Sequence, residues 1–300
     1  MKRKIKIILW LVAAFIVLPY MLLLIFIEDL ETFVSFPWGK VNLKEIIYHP
    51  AGIISAEEIN IVSSNGRNIN GLYIDKWADK TVYYFHGNGA PMEYFYTEMR
   101  YIASLGYNLM SYDFPGYGKS EWTPYKENVS RFSKEFYDHI KREKKLNDED
   151  VIIWGYSIWT AVAVDFAQYK PFHSLVLFSP LASRYDMSEK LLWFPIQKIV
   201  WHKNSYISKE LVASITMPTL IIHGNTDKVV PFSQGKQVYE NSAWTPKQFI
   251  EIDRFGHSLI IERYWDVLQD SITGFLNQEP NQEEYIFLDR KKAEEILRAQ

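Results

Sequence analysis

The chain has 300 residues, of which 48% are hydrophobic, 16% aromatic and 23% charged, a balance that suits a globular protein with one sizeable core. A formal net charge of -3 gives no electrostatic basis for nucleic-acid binding. The absence of cysteine excludes thiol catalysis, disulfides and thiolate metal sites.

Lys2, Arg3, Lys4 and Lys6 precede an unbroken apolar run from Ile7 to Ile27. A helix of about 20 apolar residues spans a bilayer, and Pro19 is tolerated in such a helix. Glu28, Asp29 and Glu31 follow at once. Basic residues on the N-terminal side alone predict a single-pass membrane protein, with its N-terminus in the cytoplasm and its body on the non-cytoplasmic side. A cleaved signal peptide would have a shorter apolar region and a small-residue cleavage site. No A-x-A-like site lies near Ile27, so residues 1–29 are expected to be a cytoplasmic stub and an uncleaved anchor. Residues 30–56 read as a membrane-proximal connector whose Phe33, Phe36 and Trp38 pack on the body.

The body, residues 57–276, opens with strand patterns. Glu58 to Ser63 alternates, Asn65-Gly66 is a hairpin signal, and Asn68 to Ile74 resumes the alternation. Thr81 to Phe85 is a short β-rich run ending in His86-Gly87-Asn88-Gly89. Strands then alternate with helices. Pro91 to Leu105 is helical, and Tyr107 to Asp113 is a strand ending in a turn-rich segment up to Ser120. Lys126 to Lys145 is an amphipathic helix with Val129, Phe132, Phe136 and Ile140 on one face. Val151 begins a strand that runs into Gly155-Tyr156-Ser157 and a helix. Further strands are expected at Ser174 to Phe178, Thr219 to His223 and Gln248 to Ile252. This order predicts an α/β fold with a mostly parallel central sheet, helices on both faces and an antiparallel edge.

Between about 181 and 216 the alternation lapses into an apolar stretch that includes Leu191, Trp193, Phe194 and Trp201. It reads as a small helical lid, with a crossover helix on a long loop as the plainer alternative. Residues 277–300 read as a charged C-terminal helix with Ile286, Ala293, Ile296 and Leu297 on one side.

Ligands of open α/β sheets bind beyond the carboxyl ends of the strands. There the chain places Ser157, then Asp227 in the turn after Thr219–His223, then His257 after the last strand. A serine hydroxyl needs a base to take its proton, which His257 supplies near neutral pH. Asp227 would set the imidazole tautomer and stabilise its charged form. The backbone N–H groups of Asn88 and Ile158 are candidates to hold an oxyanion. Asp113 and Asp253 are spare carboxylates. His86 and His223, each before a glycine, read as structural. No metal-ligand spacing occurs.

With these residues in place the body resembles the α/β-hydrolase superfamily. Five motifs match in order: His86-Gly-Asn-Gly89, Asp113-Phe-Pro-Gly-Tyr-Gly-Lys-Ser120, Gly155-Tyr-Ser157-Ile158, Pro218 to Asp227, and Gly256-His257. An anchor before such a core is similar to the serine-aminopeptidase-like branch, which includes membrane-anchored esterases, lipases and depalmitoylases. The resemblance implies hydrolysis of an ester, thioester or amide through an acyl-enzyme on Ser157, and it implies no cofactor. The apolar lid stretch and the anchor favour an acylated or lipid-like small molecule as substrate, an ester or thioester. A peptidase on the same triad is the alternative enzyme. The departure is Trp159, which stands where the nucleophile turn G-x-S-x-G keeps a small residue. An indole there either tilts the helix and misaims the Ile158 N–H, leaving a slow enzyme or a non-catalytic binding protein, or is accommodated by its neighbours.

Overall fold

A computed structural model of the chain describes residues 10, 13–18, 56–184, 186, 206–278 and 284–289. The described residues form a nine-stranded sheet: β1 Ala56–Val62, β2 Asn68–Ile74, β3 Thr81–Phe85, β4 Asn108–Tyr112, β5 Val151–Tyr156, β6 Ser174–Phe178, β7 Thr219–Gly224, β8 Lys247–Ile252 and β9 Tyr285–Leu288. Their spatial order is β1-β2-β4-β3-β5-β6-β7-β8-β9. β1 and β2 are antiparallel, as are β2 and β4, and every later pair is parallel. The β1–β2 hairpin closes through Gly66 at φ 78°, a left-handed conformation that costs glycine nothing.

The helices are α1 Tyr96–Ser104, α2 Lys126–Lys144, α3 Thr160–Ala167, α4 Ser208–Leu211, α5 Phe232–Asn241 and α6 Ile260–Leu276. β3, β4, β5 and β6 are buried along their whole length, because helices cover both faces. α2 and α3 pack on one face, where Val129, Phe132, Phe136 and Ile140 are fully buried with Tyr83, Phe85 and Phe166. Each such side chain contributes roughly 1.5–3 kcal/mol on burial. α2 stops where Lys145 turns left-handed at φ 57°, and Lys141, Arg142 and Lys144 in its last turn complement the helix dipole. α1 and α6 cover the opposite face with Met99, Ile102, Leu268 and Ile272.

From β3 the chain passes to β4 on one side and to β5 on the other. That reversal opens a crevice at the carboxyl ends of β3 and β5, the place where ligands of such sheets bind. The turn after β3 and the turn after β5 therefore meet there.

One predicted element is corrected. Residues 277–300 read as a charged helix, but Tyr285–Leu288 is a strand, β9, parallel to β8. The free edge of β8 explains it, since an unpaired strand edge exposes donors and acceptors that a further strand satisfies. The Phe249 N–H donates to the Glu284 carbonyl at 2.8 Å and the Asp253 N–H to the Leu288 carbonyl at 3.0 Å. Tyr285 stacks on Phe249 at 5.4 Å. Residues 290–300 lie outside the described residues.

Most of the expected anchor, all of the connector up to residue 55 and the middle of the expected lid, 187–205, also lie outside them. The described parts of the lid segment include α4 and a 3-10 turn at Val212–Ser214. Among the described residues no helix is long and apolar enough to cross a membrane.

Where α1 meets α6, the Glu98 and Glu262 side chains hydrogen-bond to each other. Burial, then the Glu262 charge, pushes the Glu98 carboxyl above its ordinary 4.5. The folded chain therefore binds more protons than the unfolded chain above that pH, so stability falls as pH rises. Glu98→Gln is expected to flatten the decline of Tm from about pH 5 to about pH 8, measured by thermal melts of both proteins.

Candidate active site

β5 ends in Gly155-Tyr156 and the chain turns at once into a short 3-10 helix, Ser157–Trp159, that leads into α3. A Cβ on Gly155 would lie 2.8 Å from the Ala163 Cβ and 3.0 Å from the Thr160 Cα, so only glycine lets α3 come this close to β5. The turn forces Ser157 to φ 60°, a strained value for a residue with a side chain. Thr160 Oγ1 donates to the Ser157 carbonyl at 2.5 Å and accepts the Leu181 N–H at 3.0 Å, tying the turn to the loop after β6.

The Ser157 Oγ lies 2.7 Å from His257 Nε2, and His257 Nδ1 lies 2.7 Å from Asp227 Oδ2. A carboxylate only accepts, so Nδ1 carries the proton and Nε2 presents its lone pair to the serine hydroxyl. Asp227 Oδ1 accepts the N–H groups of Val229 at 2.8 Å and Val230 at 2.9 Å. His223 Nε2 stands 3.3 Å from Oδ2. Burial alone would raise the Asp227 pKa, but the hydrogen bonds from His223 and His257 and their charge outweigh it and hold the carboxyl well below its ordinary range. The acid stays ionised while it is out of water.

His223, expected to be structural, is buried with Nε2 at 3.0 Å from the Val230 carbonyl. Its nearness to Asp227 had no sequence signal, because a histidine before a glycine at a strand end looks the same with or without that neighbour. His86 is also buried, with Nδ1 at 2.8 Å from the Gly87 carbonyl and its ring between Phe95 and Phe114. Burial pushes its pKa down to about 4. Among the described residues no group of three or more His, Asp or Glu side chains could hold a metal ion.

The spare carboxylates are committed elsewhere. Asp113 accepts the N–H groups of Met92 at 2.7 Å and Lys119 at 3.0 Å, pinning the loop after β4 to the segment after β3. Asp253 faces Asn225 at 3.2 Å and Arg254 at 3.5 Å.

Asn88 lies in the turn after β3, and β3 pairs with β5 as far as Phe85 and Gly155, so this turn and Ile158 flank the same crevice. The Tyr117 hydroxyl donates to Asn88 Oδ1 at 2.7 Å, and the Gly89 N–H reaches that hydroxyl. The loop after β4 thus braces the turn that carries the first expected oxyanion donor. Ile158 is the second residue of a helix start, where N–H groups have no intrahelical partner.

Trp159 does not open the turn. Its indole is buried and stacks on Phe114 at 3.7 Å and 12°, with Tyr117 edge-on at 5.9 Å. The close approach behind Ser157 is absorbed by Gly155 and Ala163, so position 159 is free to point into the aromatic core.

A parallel sheet with a Ser–His–Asp chain of hydrogen bonds at its carboxyl ends defines an α/β-hydrolase type of protein. The family described as the alpha/beta hydrolase fold matches residues 80–214, and the family described as serine aminopeptidase, S33, matches residues 205–264. Both matches make the chain similar to the α/β-hydrolase superfamily. It is 33% identical over 164 residues to the alpha/beta hydrolase domain-containing protein aho-3 of Caenorhabditis elegans, covering 53% of this chain and 47% of that one. It is 29% identical over 222 residues to alpha/beta hydrolase domain-containing protein 17B of Homo sapiens, covering 72% and 74%. The matched region thus spans about half the length of aho-3. The Pyrococcus furiosus esterase Pf2001 shares the fold, with a TM-score of 0.64 over 77% of this chain and 95% of that one at 19% identity.

Because the indole fills the space between Phe114 and Tyr117, Trp159→Ala is expected to lower unfolding free energy by about 3–5 kcal/mol. Equilibrium denaturation measures it, and a change under about 1 kcal/mol would show that the ring contributes no packing.

Proposed function

We propose that the chain is a serine hydrolase that cleaves an acyl ester or thioester through an acyl-enzyme on Ser157. The observation that carries this reading is the unbroken pair of 2.7 Å contacts from Ser157 to His257 to Asp227. In the proposed reaction His257 Nε2 takes the serine proton as Oγ attacks the acyl carbon, then returns it to the leaving alcohol or thiol. Water attacks the acyl-enzyme by the same route in reverse. Asp227, ionised and held by two backbone N–H groups, stabilises the imidazolium of both steps. The Asn88 and Ile158 N–H groups receive the developing oxyanion. The burial of Trp159 against Phe114 supports this reading over that of a binding protein with a disabled turn.

The substrate class is proposed to be acylated or lipid-like. A relative from Danio rerio, 29% identical over 181 residues that cover 54% of this chain and 47% of that protein, is described as lysophosphatidylserine lipase ABHD12. The serine aminopeptidase match over residues 205–264 favours a peptidase as the second reading. The apolar run from Ile7 to Ile27 supports a single-pass anchor with the catalytic body on the non-cytoplasmic side, and within it Trp10 and Phe15 are exposed.

Three experiments test these proposals. A fluorophosphonate is expected to label the full chain once, and Ser157→Ala to abolish labelling. Asp227→Asn is expected to slow turnover of a p-nitrophenyl ester by roughly 10⁴ through loss of the correct tautomer. Labelling that persists in Ser157→Ala would reject the assigned nucleophile. For the anchor, the full chain is expected to stay in the membrane pellet after carbonate washing, and a chain lacking residues 1–29 to be released. Release of both would reject anchoring through this run.

A further inference from the structure

Tyr156, the residue before the nucleophile, touches three parts of the site at once. Its hydroxyl donates to the main-chain carbonyl of His257 at 2.6 Å, across 101 positions of sequence. Its ring lies against the turn after β3, where a Cβ on Gly87 would meet the Tyr156 Cδ1 at 3.1 Å. The ring also lies 5.8 Å from the His257 imidazole and 6.4 Å from Phe178 of β6.

The loop that carries His257 needs such a tie. Arg254 and Leu259 on either side of it stand at φ 51° and φ 66°, conformations that persist only when the surroundings impose them. One end of the loop is held by the Thr226 N–H and hydroxyl, at 3.0 and 2.8 Å from the Phe255 carbonyl. The Arg254 N–H adds a bond to Asn225 Oδ1 at 2.8 Å. None of these fixes the backbone of His257 itself, which the Tyr156 hydroxyl grips directly.

We infer that Tyr156 is the positioning residue of the catalytic base, holding His257 at reaction distance from Ser157. The logic is geometric. Ser157 and Tyr156 are consecutive, so a bond from Tyr156 to His257 sets nucleophile and base relative to each other through a single rigid ring. A base displaced by about 1 Å loses much of its rate advantage, whereas substrate binding need not change. The inference rests on His257 acting as the base of Ser157. Burial and the nearby Glu262 and Glu98 charges raise the phenol pKa, so the hydroxyl remains a donor.

Tyr156→Phe in the full chain tests this, because the ring and its packing stay and only the hydroxyl leaves. The expected result is a kcat about 10- to 100-fold lower on a p-nitrophenyl ester, with KM within about twofold. His257 should also react with diethyl pyrocarbonate about fivefold faster, read as modified peptide by mass spectrometry, because a loosened loop exposes its ring nitrogens more often. An unchanged modification rate overturns the inference, and so does an unchanged kcat in an active parent. If the parent neither labels with fluorophosphonate nor turns over ester, the proposed reaction fails, and the modification rate alone still decides the positioning role.

Discussion

Everything at the site follows from how closely α3 approaches β5. Gly155 has no side chain to hold the helix away, and Ala163 across from it is small. The helix therefore begins directly after the strand, and Ser157 is bent to φ 60°. A strained residue of this kind costs about 1–3 kcal/mol, offset by the structure that imposes it. Here the offset includes the Thr160 bond to the Ser157 carbonyl and the fully buried apolar strands on either side. The strain pushes the serine hydroxyl out of the sheet, where His257 meets it.

Two buried carboxylates show how environment divides their roles. Asp113 and Asp227 are nearly equally hidden, and each accepts two backbone N–H groups. Asp113 has no cation in direct contact, and burial pushes it up to about 6. Asp227 has His257 and His223 against one oxygen and stays ionised. A buried charge persists only when it is paired and hydrogen-bonded. Asp113 thus serves as a loop clamp, and Asp227 is the one suited to hold an imidazole.

The aromatic face of the core explains why a tryptophan is accommodated beside Ser157. Phe85, Tyr112, Phe114, Tyr117 and Trp159 form a continuous set of rings beneath the loop after β4. Offset and edge-on ring pairs add about 0.5–1.5 kcal/mol each beyond the area they bury. The indole replaces empty space with packing, and Tyr117 carries the stiffness of that cluster to Asn88 and the turn after β3.

The sequence by itself determined most of the sheet, because a two-residue period, glycine-rich turns and a four-residue helix stripe are local patterns. It also determined the identity and order of Ser157, Asp227 and His257, because each follows a strand and strand ends share one edge. Only the tertiary structure decided what lies beyond local pattern. β9 forms because β8 offers an open edge, which no window around Tyr285 reveals. Trp159 packs inside the core because Phe114, far back in the chain, provides a flat surface for it. Tyr156 and His223 reach the site through contacts whose partners are set by the folding of separate strands. Periodicity is a property of neighbours in the chain, whereas who faces whom across a crevice is a property of the packed sheet.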